Sequence, residues 1–471
     1  MNQLKAGAVL NYVAIILNMV IGLLYTPYML RMLGQAEYGL YSLAASIIAY
    51  LTVLDLGFGN AIIRYTAKFR AEGKIDEQKY MFGMFLVLYI GIGIIAVIAG
   101  AVLSLNVESI FSAKMTEYEV DRTRIMLWLM TFNLAFTFPM SIWGSIMTAY
   151  ERFTFPRIVS IVRSVLNPLV MVALLAIGYK ALAMVIVTTI FNVVTLLINY
   201  WYCKKRLGIE VRYGKFDFKF LKEVSVYSFW IFLNVIMDRI YWSTGQFVLG
   251  IYRGTVAIAI YAIAIQLQQM YMMFSTAISS VFLPKVTAMV ARGDNEKEIS
   301  DLFIRTGRIQ YIVMAFILTG YIIFGKNFIL LWAGANYENA YIISLLFFVP
   351  LTVPLIQNMG IIILQARNQM KFRSLLYIAI AIICFVISFP LGKNYGGIGC
   401  AIATASALTI GQIIVMNIYY YKKLSFKMLK IYRQIFSGTW ICLLLSTGAI
   451  IISSRFINNG WFGFIINVGI F

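Results

Sequence analysis

The stretch Leu33–Tyr41, Leu-Gly-Gln-Ala-Glu-Tyr-Gly-Leu-Tyr, opens into an apolar run that one acid interrupts, in Leu-Asp-Leu-Gly-Phe-Gly-Asn (Leu54–Asn60). The run leaves through Arg64 into a basic segment ending Ala-Glu-Gly-Lys (Ala71–Lys74). A helix needs roughly 20 apolar residues to cross the hydrocarbon core, and this run is long enough. Asp55 precedes Arg64 by about two and a half helical turns, so it is expected to lie deep. A carboxylate there is disfavoured by about 2.5–3.5 kcal/mol on insertion scales, which makes it a functional candidate by default.

The same texture extends over the whole chain. Of its 471 residues 61% are hydrophobic and 12% charged, against about half and about a quarter in a soluble domain. Between clusters of charge lie fourteen runs of spanning or near-spanning length: 6–30, 38–63, 80–107, 125–150, 158–179, 181–203, 224–252, 254–284, 309–325, 339–366, 374–392, 394–421, 434–454 and 456–471. The last run, ending at residue 471, is short for a full span. The runs do not alternate apolar and polar positions as barrel strands do, and helices are the other way to satisfy a backbone in lipid. The expected fold is all-α, a polytopic membrane protein of about 14 transmembrane helices.

A net charge of +20 raises the possibility of nucleic-acid binding, but the placement of the charges points to a membrane. Alternate loops, beginning with Lys5, carry 28 Lys and Arg, and the other set carries 9. Arg163 and Arg239 fall inside runs. The positive-inside rule then puts the N-terminus in the cytoplasm, and the basic loops beside anionic headgroups. The first run is too long for a cleaved signal and lacks a small-residue cleavage site. Cys203, Cys384, Cys400 and Cys442 have no disulfide or zinc spacing. Histidine is absent, so any proton coupling would rest on carboxylates.

The chain also repeats itself. Tyr41 to Arg64 is 23 residues and Arg64 to Gly73 is 9; Tyr261 to Pro284 and Pro284 to Gly293 repeat both intervals. Leu33-Gly34 is answered by Leu249-Gly250, Ala149–Phe155 by Ala366–Phe372, and Tyr-Cys-Lys-Lys (202–205) by Tyr-Tyr-Lys-Lys (420–423), at offsets of 216 to 220. Each half holds six runs, an even number, so the halves are parallel repeats about an axis along the membrane normal. The expected organisation is an N-lobe over 1–222, a C-lobe over 223–433 and two extra C-terminal spans over 434–471.

Two six-helix halves with two added helices resemble the multidrug/oligosaccharidyl-lipid/polysaccharide flippase superfamily. Pro27 with Arg31, Leu33-Gly34, Tyr38-Gly39, the Asp55, Gly59, Asn60 and Arg64 pattern, and Leu-Pro-Lys (Leu283–Lys285) resemble the polysaccharide flippases within it. The resemblance implies a bacterial inner-membrane protein that moves an undecaprenyl-diphosphate-linked oligosaccharide by alternating access. It implies a central cavity lined by spans 1, 2, 7 and 8, with cations holding the diphosphate, and coupling to a proton or sodium gradient. Its implied partners are the lipid-linked substrate, membrane lipids, and a polysaccharide polymerase or other assembly proteins, with no nucleic acid and no bound cofactor.

Arginine suits a diphosphate because its planar fork binds phosphate bidentately and keeps its charge. The cationic candidates are Arg239, Arg163 and Arg64, with Arg31 at the outer mouth. In run 7, Asn234, Asp238, Tyr241 and Gly245 share one helical face, and Arg239, Trp242 and Gln246 the next. Arg239 is the substrate-contact candidate, Asp238 its tuner or an ion site; the competing reading is a fixed salt bridge for each. Asp55, read on one face with Thr52 and Gly59, is the second ion-coupling candidate, or else a partner for Arg64 or Arg163. Arg64 and Arg163 can also snorkel to the interface. Gln266 and Gln269 share a face of run 8 and suit sugar hydroxyls, though such amides also join helices. Pro350 and Pro354 beside Gln357-Asn358 predict a bent helix. No glycine-rich phosphate loop, nucleophile elbow or metal motif gives a basis for an enzyme. Two rival functions are a drug/cation antiporter of the multidrug and toxin extrusion type, which calls for a more acidic cavity, and a membrane scaffold for polymer assembly.

Overall fold

The structure is a computed structural model that describes residues 3–214, 217–280, 282, 286, 289–290, 292, 296–367, 369–424, 426–437 and 461. Among them no residue is in a strand. The helices are α1 (Gln3–Leu51), α2 (Phe58–Ala71), α3 (Ile75–Leu105), α4 (Val107–Phe111), α5 (Glu117–Ala149), α6 (Thr154–Ala176), α7 (Ala181–Lys205), α8 (Phe218–Tyr252), α9 (Thr255–Ser280), α10 (Glu296–Trp332), α11 (Ala340–Ile356), α12 (Asn358–Ala366), α13 (Lys371–Leu408), α14 (Met416–Leu424) and α15 (Met428–Phe436). Each of the first twelve expected runs coincides with helix. Runs 434–454 and 456–471 lie almost wholly outside the described residues, as do Leu283–Lys285, Gly293 and Cys442.

Several boundaries differ from a one-run, one-helix reading. Val9–Ala71 and Lys371–Lys423 are near-continuous helical stretches that each cover two expected spans. They turn at Gly34 (φ 74°) and Gly396 (φ 61°), backbone angles that glycine reaches without a Cβ penalty. Run 10 is divided at Gln357 into α11 and α12, bent by 44°. Pro350 and Pro354 lie in α11, and each proline removes a backbone hydrogen bond. Gln357, at the break, donates to Asn417 and Tyr432. Run 12 passes through a π-helical segment at Thr409–Val415.

Packing divides the chain into two compact units, Met1–Ala259 and Ile260–Phe471. The first extends beyond residue 222 because α8 packs on α1 and α2. Within it, Phe58, Phe82, Phe85, Tyr89, Phe138 and Trp143 form a buried core, with the rings of Tyr89 and Phe138 stacked at 6.5 Å. α5 begins with a capping box, in which the Thr116 hydroxyl accepts from the Glu119 amide and the Thr116 amide donates to the Glu119 carboxylate at 2.8 Å. This satisfies two of the otherwise orphaned N–H groups. In the second unit, Ser275 Oγ donates to Leu355 O at 2.7 Å and accepts from Gln310 and Asn358.

The internal repeat has a structural counterpart. Phe155 stacks on Tyr202 at 4.0 Å in the first unit, and Phe372 stacks on Tyr419 at 4.3 Å in the second. Both partners are displaced by 217 residues. The equivalent of Tyr202 is therefore Tyr419, one residue before the match that the Tyr-Lys-Lys pattern suggests.

The outer faces carry large exposed aliphatics, including Ile94, Ile95, Ile98 and Val102 on α3 and Ile382, Ile383 and Val386 on α13. Soluble monomers rarely expose apolar patches of this extent. In a bilayer these side chains meet hydrocarbon, where no hydrophobic penalty applies. The protein is an all-α, polytopic membrane protein.

Candidate functional site

The first unit holds an open-sided cavity of about 290 Å³ lined by residues of α1, α5, α7 and α8 and of the turn after α1, in which Arg239 is exposed. Tyr41, Ala45, Ile48, Ala49 and Thr52 form one wall; Met130, Asn133, Leu134 and Thr137 of α5 form a second; Val185, Thr188 and Thr189 of α7 form a third. Arg239 of α8 completes the lining. Among the described residues no carboxylate lines this cavity, and Arg239 makes no hydrogen bond or ion pair. It is neighboured in sequence by Asp238, but consecutive helical residues point about 100° apart, and Asp238 is not among the residues that line the cavity. The buried face of α8 carries Met237, Tyr241, Thr244 and Val248.

Arg163 reaches the same cavity indirectly. Its Nη1 donates to Asn192 Oδ1 at 2.9 Å. Asn192 Nδ2 donates to Asn133 Oδ1 and to Thr137 Oγ1, both at 2.8 Å. The Thr137 hydroxyl in turn donates to the Asn133 carbonyl at 2.7 Å. Three helices, α6, α7 and α5, thus supply one chain of hydrogen bonds that ends in the cavity wall. Asn133, Thr137 and Asn192 are functional candidates that reading the sequence did not single out. The available signal was the spacing of Asn133 and Thr137, four residues apart and so on one face of a helix.

Asp55 sits elsewhere. It ends a short 3₁₀ turn, Thr52–Asp55, after which Leu56 (φ 53°) and Gly57 (φ 72°) take left-handed conformations before α2 starts. Helical-face arithmetic therefore fails between Asp55 and Gly59, because the two belong to different elements. Tyr89 Oη donates to Asp55 Oδ1 at 3.0 Å. Among the described residues Asp55 has no ion pair with Arg64 or Arg163.

The remaining sequence candidates are spread out. Arg31 is exposed on α1 before the Gly34 bend, and Arg64 is exposed on α2, its guanidinium 5.8 Å from the Tyr65 ring centre. On α8, Asn234 is half-buried and Asp238 exposed. Gln266, half-buried, and Gln269, exposed, lie on α9 in the second unit. The structure brings Arg239, and Arg163 through two amides, to one cavity; Arg31, Arg64, Asp55, Asn234 and Asp238 are not among its lining residues.

A second cavity of the first unit, about 660 Å³, lies beside the α6–α7 turn and is lined by Glu37, Tyr118, Arg122 and Lys180 among others. Glu37, 6% exposed, accepts from Tyr118 Oη at 3.0 Å and from the Ala181 amide at 3.2 Å, with Lys180 Nζ 3.9 Å away. Its carboxylate thereby caps the start of α7, where the helix dipole favours negative charge.

Comparisons with known proteins agree with this architecture. The chain is 23% identical over 437 residues to the probable flippase AglR of Haloferax volcanii, covering 88% of this chain and 83% of that protein. Its fold matches the lipid II flippase MurJ, described in an inward closed conformation, with a TM-score of 0.76 at 16% identity, covering 98% of this chain and 95% of that one. It also matches an inward-facing multidrug resistance MATE family transporter of the MOP superfamily, with a TM-score of 0.64 at 13% identity over 90% of this chain and 99% of the other. The resemblance to the flippase superfamily is borne out by these matches together with the family model. A family model described as polysaccharide biosynthesis protein spans residues 4–290, taking in α1 to α9 and the Arg239 cavity, and by that match the chain is a member of the polysaccharide biosynthesis protein family.

Proposed function

We propose that the protein is a flippase that carries an undecaprenyl-diphosphate-linked oligosaccharide across the bacterial inner membrane for polysaccharide assembly. The observation that carries this reading is the unpartnered Arg239 guanidinium on the wall of the 290 Å³ cavity. An intramembrane cation left without a counter-ion is costly, and such groups mark substrate or ion pathways. A diphosphate supplies the missing partner, accepting the paired N–H groups of the guanidinium fork. The family membership and the flippase named among the relatives support the same class. An antiporter for cationic drugs would be served by carboxylates in the lining, and among the described residues that lining holds none.

Residues 1–222 and 223–433 would rock against each other around the cationic cavity and expose the site to each side in turn. The polyprenyl tail stays in the bilayer, while the diphosphate rests on Arg239 and the sugars meet neutral polar side chains. The basic loops and the N-terminus face the cytoplasm. Arg64 and Arg31, exposed on either side of the Gly34 bend, attract the anionic head from the interfaces. Asp55 and Asp238 are the carboxylates available to couple transport to a proton or sodium gradient. A polymerase would consume the delivered lipid.

Arg239→Gln, expressed in cells lacking the native copy, tests the reading. The variant is expected to insert at the wild-type level and to lower surface polymer at least tenfold, with Arg239→Lys retaining part of it. Wild-type polymer in the Arg239→Gln strain would remove the central group from the mechanism.

A further inference from the structure

The hydrogen-bond chain behind the cavity has a direction, and its chemistry fixes that direction. Arginine has donors and no acceptor. Arg163 therefore compels Asn192 to turn its carbonyl oxygen toward the guanidinium. The Asn192 amino group must then face the other way, and its two protons go to Asn133 Oδ1 and Thr137 Oγ1. Thr137 is held as an acceptor there because its own proton is given to the Asn133 backbone carbonyl. With its oxygen occupied from behind, Asn133 has one group left for the cavity it lines, its Nδ2 amino group, which has no partner among the described residues.

We propose that Asn133 is a substrate-contacting donor of this cavity, which Arg163 and Asn192 hold in the donor sense from behind, so that the site selects head groups rich in oxygen acceptors. The inference rests on the reading of the Arg239 cavity as the substrate path. The cavity then presents an amide N–H pair and a guanidinium, and no carboxylate among its described lining residues. Phosphate oxygens, sugar carboxylates and acetamido carbonyls share the required chemistry. Arg163 and Asn192 are positioning residues in this scheme. Arg163 supplies a fixed orientation that a hydroxyl or a lone amide, free to rotate or flip, cannot impose.

Asn133→Asp gives a selective test. The substitution is nearly isosteric, and its carboxylate still accepts from Asn192, so the internal chain is kept. The group facing the cavity changes from donor to acceptor. Purified full-length protein is titrated with undecaprenyl diphosphate, and surface polymer is measured in the complementing strain. The expected result is normal insertion with at least a tenfold loss of affinity, or of polymer, for Asn133→Asp, since a hydrogen bond to a charged group corresponds to roughly ten- to hundredfold. Loss of both readouts assigns the contact to the diphosphate; loss of polymer with unchanged binding of the sugar-free lipid assigns it to the sugar. Arg163→Met is expected to weaken the same readout with no further loss when combined with Asn133→Asp, and Arg163→Lys to restore it. If Asn133→Asp binds and exports like wild type while Arg239→Gln is inactive, this inference fails and the proposed function stands. If both variants behave as wild type, the reading of the cavity itself is overturned.

Discussion

Tyr89 donates its hydroxyl to Asp55 across 3.0 Å, joining α3 to the break between α1 and α2. The acid that stands out in the sequence is therefore held by a neutral phenol, in a segment whose own helix has been interrupted. Asp55 is half-buried, so its partner matters to its energy. Replacing the phenol, as in Tyr89→Phe, is expected to lower stability by about 1–2 kcal/mol, read as a fall in melting temperature of the detergent-solubilised protein.

Asp55→Asn separates structure from coupling at the same position. The amide oxygen still accepts from Tyr89, so the melting temperature should stay close to wild type. If Asp55 carries the coupling charge, transport in proteoliposomes loses its response to an imposed proton or sodium gradient. A gradient response equal to wild type would reduce Asp55 to a packing role.

Glu37 is expected to be the most sensitive acid for folding. Glu37→Ala leaves the Tyr118 hydroxyl and the Ala181 amide without their acceptor, a loss of about 2–3 kcal/mol for a buried charged acceptor. Glu37→Gln retains one acceptor oxygen and should lose about half as much. Thermal unfolding followed by fluorescence size exclusion distinguishes the two.

Gly39 lies where backbones meet closely. A Cβ built there would stand 2.0 Å from the Thr255 carbonyl oxygen, and Thr255 is also tied to Glu119 by a 2.8 Å hydrogen bond. Even Gly39→Ala forces α1 and the start of α9 apart. Overpacking of this kind typically costs about 1–3 kcal/mol, so the variant should show reduced yield and an early melting transition, whereas Thr255→Ser should not.

The 207–214 segment provides a pH-dependent contact outside the membrane. Glu210 pairs with Lys79 at 2.7 Å, and the Arg212 amide donates to the Lys79 carbonyl at 3.1 Å. The hydrogen bond from Lys79 holds the Glu210 carboxyl below its ordinary value of 4.5. The contribution is therefore fully present above that value and is lost as pH falls through the lowered one. The Glu210 carboxylate is exposed, so the effect is local. Limited proteolysis between 207 and 217 should accelerate on acidification below pH 4.5, and Glu210→Gln should show the faster rate at neutral pH.

The spans were readable because a bilayer demands long apolar helices, and each of the twelve described ones is announced by such a run. The bends at Gly34 and Gly396 were less visible: glycine permits a left-handed residue but does not require one. Leu56 gave no signal at all, since a leucine at positive φ is held there by its surroundings. Arg239 could be picked out as a charge inside a run. The Arg163–Asn192–Asn133 chain could not, because it exists only once α5, α6 and α7 stand side by side, with partners 29 and 59 residues apart. Local periodicity has no access to contacts of that separation.

The corner where α1 turns at Gly34 is fastened by Glu37 to two other parts of the first unit, the tip of α5 at Tyr118 and the entry to α7 at Ala181. A pivot so braced behaves as a bracket: tilting the lower arm of α1 drags the α6–α7 turn with it, and the wall residues Tyr41 to Thr52 travel as one panel with those of α7. Any widening of the Arg239 cavity then has to come from the α8 side.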